Sequence, residues 1–281
     1  MAAKLDVDSF RKLLPLDFHE KFLAAAVRPD GRGLLEFRAA AVSRGVLASS
    51  TVGSALVRVG ETAVMAGVKA EVGPPAAGAP STGMLVVNAE LPPLCSPDAE
   101  PGRPSDRTQV LTRHLNEVLL GNASGVALDA LCIEPGVAVW VLYLDVIVLD
   151  DSGSLDDAAL LAAVAALASF ELPAVDVDAA DGQVYVNDGA ESRAMDIGTL
   201  RNVPTLPLSF TFGLLGSHLI ADPTASEEVL LSAKVGIVLD GYSGNVLATV
   251  KTGKAPLSLD AIAQCVAVAQ ERAAALVPLL S

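Results

Sequence analysis

At 281 residues the chain is long enough to bury a large core, as one domain or as two fused lobes. Its formal net charge of −14 argues against an autonomous nucleic-acid-binding protein, which usually carries a basic face, although local basic patches remain compatible with it. Three widely spaced cysteines, an N-terminus without an apolar signal core and the lack of a membrane-length apolar run predict a soluble intracellular protein without disulfides or a membrane partner.

The first part of the chain predicts a helix followed by an antiparallel meander. The helix covers residues 8–25 and is bent or broken at Pro15, because proline lacks the N–H group that a helix interior needs. Residues 28–32 contain the turn-forming triplet Pro-Asp-Gly. Residues 37–72 read as successive apolar strands separated by glycine-containing turns, and the short spacing between them favours antiparallel pairing.

A further strand and helix precede the middle of the chain. Residues 84–91 predict a strand that ends at Pro92-Pro93. Residues 106–121 then predict a helix, and the spacing of its side chains places three residues on one face: Val110, His114 and Val118.

The central stretch Val137–Phe170 predicts a strand, a polar turn and a helix. The strand is apolar on both faces, which indicates burial between two layers. A helix N-terminus behind a strand and a tight turn is a natural site for an anion such as phosphate. Here, however, the helix begins with Ser154, Asp156 and Asp157, the pattern of a capping box, and its carboxylates would repel a phosphate.

The last part of the chain predicts a second set of strands from about Gln183, followed by a helix. The expected strands are residues 206–213, 218–221, 229–240 and 246–251, with a hairpin turn at 241–244. Ser258 is the expected cap of the C-terminal helix, whose apolar stripe consists of Ile262, Val266, Ala269 and Ala273. The order of elements indicates an α+β chain with an N-terminal lobe (1–175) and a C-terminal lobe (176–281).

Four stretches, in this order, resemble the RNase PH-type proteins. The first stretch is RPDGR at 28–32 with Glu36-Phe-Arg38, and the second is Gly53–Val57 with Gly60, Thr62 and Val64. The third is Asp106–Arg113, and the fourth is the central strand-turn-helix. Each motif alone is weak, but together they span nearly the whole chain. The resemblance implies an RNase PH-like fold with mixed sheets and flanking helices in two lobes.

Within that family, three further stretches resemble the non-catalytic ring subunits of the eukaryotic RNA exosome: Glu90–Ser96, Pro135–Tyr143 and Asp222–Glu228. This resemblance implies a subunit of a ring that scaffolds a channel for single-stranded RNA in 3′-to-5′ processing and degradation. The implied partners are other RNase PH-like subunits, cap proteins and RNA, with no DNA and no cofactor. The implied location is the nucleus, nucleolus and cytoplasm.

The predicted phosphate turn carries the wrong charge for phosphorolysis, which needs phosphate held beside the last phosphodiester bond. In active relatives an arginine of this turn helps to hold phosphate, and the matching residues here are Gly153, Ser154 and Asp156, with Asp156 in the place of the arginine. Replacing a cation by an anion at ~4 Å turns an attraction of roughly 4 kcal/mol into a comparable repulsion at an effective dielectric of about 20. We therefore expect a degenerate phosphate turn, no catalytic residue, and a helix-capping role for Asp156 and Asp157.

Other carboxylates are candidates for a vestigial acidic site. Asp222 falls near the catalytic aspartate of the family, and Glu228 offers a second carboxylate. Asp222-Pro-Thr also predicts an ordinary turn in which the aspartate accepts nearby backbone amides, and this interpretation is favoured. Asp145 lies within the central strand and is expected to be a buried, hydrogen-bonded structural carboxylate.

Arginines that match phosphate or RNA contacts in active relatives are Arg107 and Arg113. Two interpretations stay open for both arginines. One is a weak contact to the RNA backbone, and the other is a solvated or interface position on the helix. Arg32 and Arg38 are expected to anchor the fold or a subunit contact. The histidines are scattered and no Cys or His pair has ligand spacing, so no metal is expected.

Two other functions stay open. The first is a phosphate-dependent 3′-to-5′ exoribonuclease, active alone or through a composite site that Arg107, Arg113 or a neighbouring subunit completes. The second is a stand-alone α+β enzyme of unrelated chemistry.

Overall fold

The computed structural model describes residues 7–47, 49–95, 105–121, 128–170, 172, 175–177, 184–186 and 205–280. The sequence also predicts a polar, proline-bearing loop over residues 96–105, of which 96–104 lie outside the described residues. The chain begins with two helices, α1 (Val7–Leu13) and α2 (Pro15–Leu23), and Pro15 occupies the first position of α2. The predicted break at Pro15 is confirmed, because proline is tolerated at a helix start and excluded from a helix interior.

The first lobe is built on a six-stranded sheet, which we refer to as the large sheet. Its strands are β1 (Ala40–Arg44), β2 (Gly53–Val59), β3 (Thr62–Gly73), β4 (Met84–Glu90), β5 (Cys132–Glu134) and β6 (Ala138–Asp150). The order is β1-β2-β3-β6-β4, with β5 paired to the start of β6. The predicted antiparallel meander β1-β2-β3 is confirmed, and β4 is the strand parallel to β6.

The central strand β6 is buried on both faces only over its first five residues. From Tyr143 onwards every second residue is half-buried or exposed, so the prediction of a strand buried between layers is right for its first part alone. The predicted buried role of Asp145 is wrong, because its side chain is 41% exposed and its nearest cation, Lys69 Nζ, lies 4.0 Å away.

Two helices pack on one face of the large sheet, α3 (Asp106–Leu119) against β4 and α4 (Leu155–Ala168) against β2 and β3. The helix α4 also contacts the second lobe, so it is buried almost all round its circumference. Of the three residues predicted to share one face of α3, Val118 is buried, His114 is half-buried and Val110 is 65% exposed. The buried residues of α3 are Thr108, Leu111, Leu115, Val118 and Leu119.

The second lobe contains an antiparallel sheet of four strands, which we refer to as the small sheet. Its strands are β9 (Pro207–Leu215), β10 (His218–Ala221), β11 (Ala233–Asp240) and β12 (Val246–Gly253), in the order β10-β9-β11-β12. A two-stranded hairpin of β7 (Val175–Val177) and β8 (Val184–Val186) precedes it. The predicted strand 229–240 begins later, at Ala233, because a turn that follows the four-residue helix α5 (Ala225–Glu228) occupies the start of that range.

The C-terminal helix α6 (Leu259–Leu280) packs against β11 and β1. Ser258 Oγ accepts a hydrogen bond from Ala261 N at 3.2 Å, which confirms the predicted cap. The buried stripe is Cys265, Ala269, Ala273, Leu276 and Leu280, whereas Ile262 and Val266 are half-buried.

The predicted α+β, RNase PH-like fold in two lobes is confirmed by this arrangement of two sheets and flanking helices. No helix among the described residues is long and apolar enough to cross a membrane. The turn between β6 and α4 faces the segment between β10 and α5, so the two lobes meet at the residues in which the sequence predicted a site.

Candidate functional site

The predicted phosphate turn is in direct contact with the second lobe. Gly153 has φ +99°, and a Cβ atom at this position would lie 2.5 Å from both Ala225 N and Pro223 O. Ala225 N donates to Ser152 O at 3.0 Å, and Ser154 Oγ donates to Pro223 O at 3.1 Å. Glycine is therefore required here by close approach as well as by backbone angle. Gly153 and Ser154 at the centre of the turn are thus buried against the other lobe.

The predicted capping box at the start of α4 is wrong. Ser154 has a left-handed backbone (φ +49°), and its side chain makes no capping hydrogen bond. Asp157 instead reaches β9, where its Oδ1 accepts from Ser209 Oγ at 2.8 Å and from Thr211 Oγ1 at 2.9 Å. Its Oδ2 accepts from Thr211 N at 2.7 Å. Asp157 therefore joins the two lobes. Ser154 does not cap α4, because its backbone is left-handed.

Asp156 also turns to the second lobe. Its Oδ2 lies 3.1 Å from Lys234 Nζ on β11, and the same amine lies 3.3 Å from Glu228 Oε1. Burial alone would lower the pKa of Lys234, but the charges of Asp156 and Glu228 raise it overall. Asp156, which the sequence predicted to occupy the place of the family's arginine, is thus paired with a cation from the other lobe.

Asp222 is buried and lies between two arginines. Arg38 binds it through Nη2–Oδ1 at 2.7 Å, Nε–Oδ2 at 2.8 Å and its backbone N–H at 2.8 Å, and Arg32 Nη1 lies 3.2 Å from Oδ2. Burial would raise the pKa of Asp222, but the hydrogen bonds and charge of Arg38 hold it below its ordinary value. The turn interpretation is wrong in its partners, because the donors come from Arg38 and Arg32 instead of from neighbouring amides. The predicted anchoring role of Arg32 and Arg38 is confirmed.

A second buried ion pair joins Arg28 to Glu227. The guanidinium of Arg28 is fully buried, with Nε 3.0 Å from Glu227 Oε1 and a second, shorter contact to Oε2. The remaining donors of Arg28 bind Ala221 O at 2.6 Å and Asp222 O at 3.0 Å. Glu227 also accepts from Thr224 N at 2.8 Å as part of a capping box at α5. Sequence reasoning singled out neither partner of this pair, although the RPDGR motif contains Arg28.

Arg107 and Glu228 meet at the solvent side of the same group of ion pairs. Arg107 Nη1 lies 2.5 Å from Asp151 Oδ2, and its Nη2 lies 3.8 Å from Glu228 Oε2. Glu228 Oε1 also accepts from Ser154 N at 3.1 Å. Lys234 and Asp151 were not among the predicted site residues, since nothing in their local sequence indicates their partners.

Arg113 lies on the exposed side of α3. Its side chain is 79% exposed and pairs with Glu117, one helical turn away, at 2.6 Å. The structure therefore brings Arg107 into the cluster and gives Arg113 a surface ion pair.

Within the described residues, every cation of this cluster is paired with a carboxylate. The cations are Arg28, Arg32, Arg38, Arg107 and Lys234, and the carboxylates are Asp151, Asp156, Asp157, Asp222, Glu227 and Glu228. A phosphate here would compete with carboxylates that already pair with these cations, and several of those ion pairs are buried. The described part of the chain contains no group of three or more His, Cys, Asp or Glu side chains that could hold a metal ion.

The comparisons with known proteins first define a class. Residues 36–173 match the 3′ exoribonuclease family, domain 1, and residues 205–272 match domain 2 of the same family. The chain belongs to this family, the RNase PH class that its motifs indicate.

The relatives are subunits of one type of assembly. The exosome complex component Rrp42 of Methanothermobacter thermautotrophicus is 35% identical over 90% of this chain and 89% of its own length. The exosome complex component Rrp43 of Schizosaccharomyces pombe is 34% identical over 94% of each chain. Among solved structures, the Archaeoglobus fulgidus exosome with RNA bound to the active site has a chain with a TM-score of 0.78 and 33% identity, covering 98% of this chain and 99% of that one. The resemblance to exosome components is confirmed.

The buried pair Arg28–Glu227 should contribute strongly to stability. We expect Arg28→Met to lower the free energy of unfolding by roughly 3–5 kcal/mol, because it leaves the buried carboxylate of Glu227 uncompensated. Urea unfolding measures this loss. The matched control is Arg113→Met in an exposed ion pair, for which little change is expected. Equal losses in the two variants would contradict the assigned role of Arg28.

Stability should depend on the ionisation of Asp157. Burial raises the pKa of Asp157 to about 7, although hydrogen bonds from Ser209 and Thr211 lower it. The folded state then binds more protons than the unfolded state between about pH 4 and pH 7, so this carboxyl makes stability fall as pH rises through that window. We expect Asp157→Asn to remove this decrease in the free energy of unfolding, which is on the order of a few kcal/mol. The measurement is the slope of the free energy of unfolding against pH. The exposed control Asp145→Asn should keep the wild-type slope; an unchanged slope in Asp157→Asn would refute the assignment.

Proposed function

We propose that this chain is a non-catalytic core ring subunit of an RNA exosome, which supports 3′-to-5′ RNA processing and degradation by scaffolding the RNA channel. The observation that carries this proposal is that the turn matching the family's phosphate site is filled by the protein's own ion pairs. Asp156, in the place of the phosphate-holding arginine, lies 3.1 Å from Lys234. Gly153, Ser154 and Asp156 are accordingly proposed as a degenerate phosphate turn.

The proposed loss of catalysis also follows from the state of the carboxylates. A general acid must be protonated and within reach of the leaving 3′ oxygen. Asp222 is held ionised and both of its oxygens are bound by Arg38, while Glu228 is bound by Ser154 N and Lys234. We interpret Asp222 and Glu228 as a vestigial acidic site whose side chains now hold the lobes together.

The proposed partners are other RNase PH-like ring subunits, cap proteins and single-stranded RNA passing through the assembled channel, in the nucleus, nucleolus and cytoplasm. The similarity to exosome components supports the ring, and the RNA bound in the Archaeoglobus fulgidus exosome supports RNA as the substrate of such an assembly. Of the two arginines proposed to contact RNA, Arg107 is engaged by Asp151. Arg113 is the better candidate, because an exposed ion pair with Glu117 is easily exchanged for a phosphate.

The purified chain should not degrade RNA. With end-labelled RNA and inorganic phosphate, we expect no release of nucleoside diphosphates beyond a reaction without phosphate, because the cations of the turn are already neutralised. Thin-layer chromatography of the products measures this. Phosphate-dependent release of nucleoside diphosphates by the pure chain would favour the phosphorolytic exoribonuclease instead.

The same question can be asked of the assembled ring. In rings purified at wild-type size, any phosphorolysis that other subunits supply should be unchanged by Asp222→Asn in this chain. Loss of turnover in rings of normal size and composition would mean that this chain contributes to a composite site.

A further inference from the structure

A cleft of about 750 Å³ opens between the two N-terminal helices and the second lobe. Its wall is formed by α1, α2, the segment 29–39, the turn between β2 and β3, the turn after β6 and the start of α5. Sites for small ligands in proteins are concave and typically enclose about 300–1,000 Å³. We refer to this cavity, which is lined by Arg11, His19, Glu36, Phe37, Glu61 and Ser226 among others, as the α2 cleft.

His19 of α2 lies in the wall of the cleft with a nitrogen that has no partner. The residue is 3% exposed, and its Nδ1 is buried without a hydrogen bond in the part of the chain that the structure describes. Burial lowers the pKa of His19, so the ring is neutral at pH 7. Buried polar atoms in folded proteins are normally hydrogen-bonded. The cleft thus offers a hydrogen-bonding position that the protein itself does not fill.

Two carboxylates of the α2 cleft have no cation to pair with. Glu36 Oε2 accepts from the backbone N–H of Gly33 at 2.9 Å, and Glu61 is exposed in the turn between β2 and β3. Neither carboxylate forms an ion pair with any residue that the structure describes. The other carboxylates of the wall are paired, Asp30 with Arg32, Asp151 with Arg107 and Glu227 with Arg28. A cationic ligand would therefore reach Glu36 and Glu61 without displacing a cation of the protein.

The charge of the wall selects the class of ligand. Five carboxylates share the wall with three arginines, Arg11, Arg32 and Arg38, so it carries an excess of two negative charges while His19 is neutral. The net charge of −14 on the whole chain attracts cations from a distance and repels phosphate and RNA. Among the described residues no group of His, Cys, Asp and Glu side chains could hold a metal ion. These observations together favour an organic cation.

We propose that the α2 cleft binds a small aliphatic amine that carries two or more ammonium groups. Its N–H donors would bind the carboxylates of Glu36 and Glu61 and the imidazole of His19, and its methylene groups would pack on Phe37. Arg11 on α1 lines the same cleft and opposes the charge of the ligand. All of these residues belong to one chain, so the proposal does not depend on the proposed ring assembly.

The test is isothermal titration calorimetry of the full chain with spermidine and 1,4-diaminobutane as probes, for which we expect saturable binding at one site. Glu36→Gln and Glu61→Gln should each weaken spermidine binding by about fivefold, and the double variant by about twentyfold. Arg11→Gln should strengthen binding by about twofold, because it removes a cation from the wall. The matched control is Glu134→Gln on β5, which removes one exposed carboxylate outside the cleft and should leave the affinity unchanged.

Substitutions of His19 test the hydrogen-bonding position. His19→Leu should weaken spermidine binding by about fivefold, whereas His19→Gln, which keeps a side chain that can donate and accept, should bind nearly as the wild type does. Circular dichroism melting shows whether each variant is folded, and the exposed positions Glu36 and Glu61 decide the matter if His19→Leu is not.

Four outcomes would overturn the proposal. The first is the absence of saturable spermidine binding, and the second is a loss in Glu134→Gln as large as in Glu61→Gln, which would mean diffuse attraction to an acidic chain. The third is tighter binding of inorganic phosphate than of spermidine. The fourth is binding of a lysine-containing peptide when neither amine binds, which would assign the cleft to a protein chain.

Discussion

The carboxylate of Asp222 and the guanidinium of Arg38 form the interaction on which the meeting of the two lobes depends. Asp222 is 1% exposed, and a buried charge without a partner would cost several kcal/mol. Arg38 also donates to Ser152 O at 3.1 Å and Gly153 O at 2.9 Å, so one side chain holds both the turn after β6 and the segment after β10. Removing this side chain would take two guanidinium hydrogen bonds from the buried aspartate and one from each of the two carbonyl oxygens.

The same network explains both the preserved fold and the proposed loss of chemistry. An arginine that is fixed by a buried aspartate has no charge to offer a phosphate, and a carboxylate held ionised by arginine cannot deliver a proton. Asp157 adds a second connection, from α4 to β9, through three hydrogen bonds to Ser209 and Thr211. The charged groups where the two lobes meet are therefore bound to each other.

The helices and strands could largely be predicted from the sequence, but the residues with which their side chains pair could not. Strands and helices follow from local periodicity and from proline and glycine, so Pro15, the meander and the Ser258 cap are confirmed. The capping box at Ser154 fails because the residue adopts a left-handed backbone where the second lobe packs against Gly153. Val110 is exposed because the large sheet, not the helix, decides which side of α3 is covered.

The sequence by itself determined the family, through motifs in a fixed order, and it placed Asp156 in the predicted phosphate turn. Only the tertiary structure decided what that aspartate does. Its partner Lys234 is 78 residues away in the chain, and Asp222 is 184 residues from Arg38. Ion pairs and hydrogen bonds depend on separation in space, and a local pattern contains no record of residues that folding brings together from the other lobe.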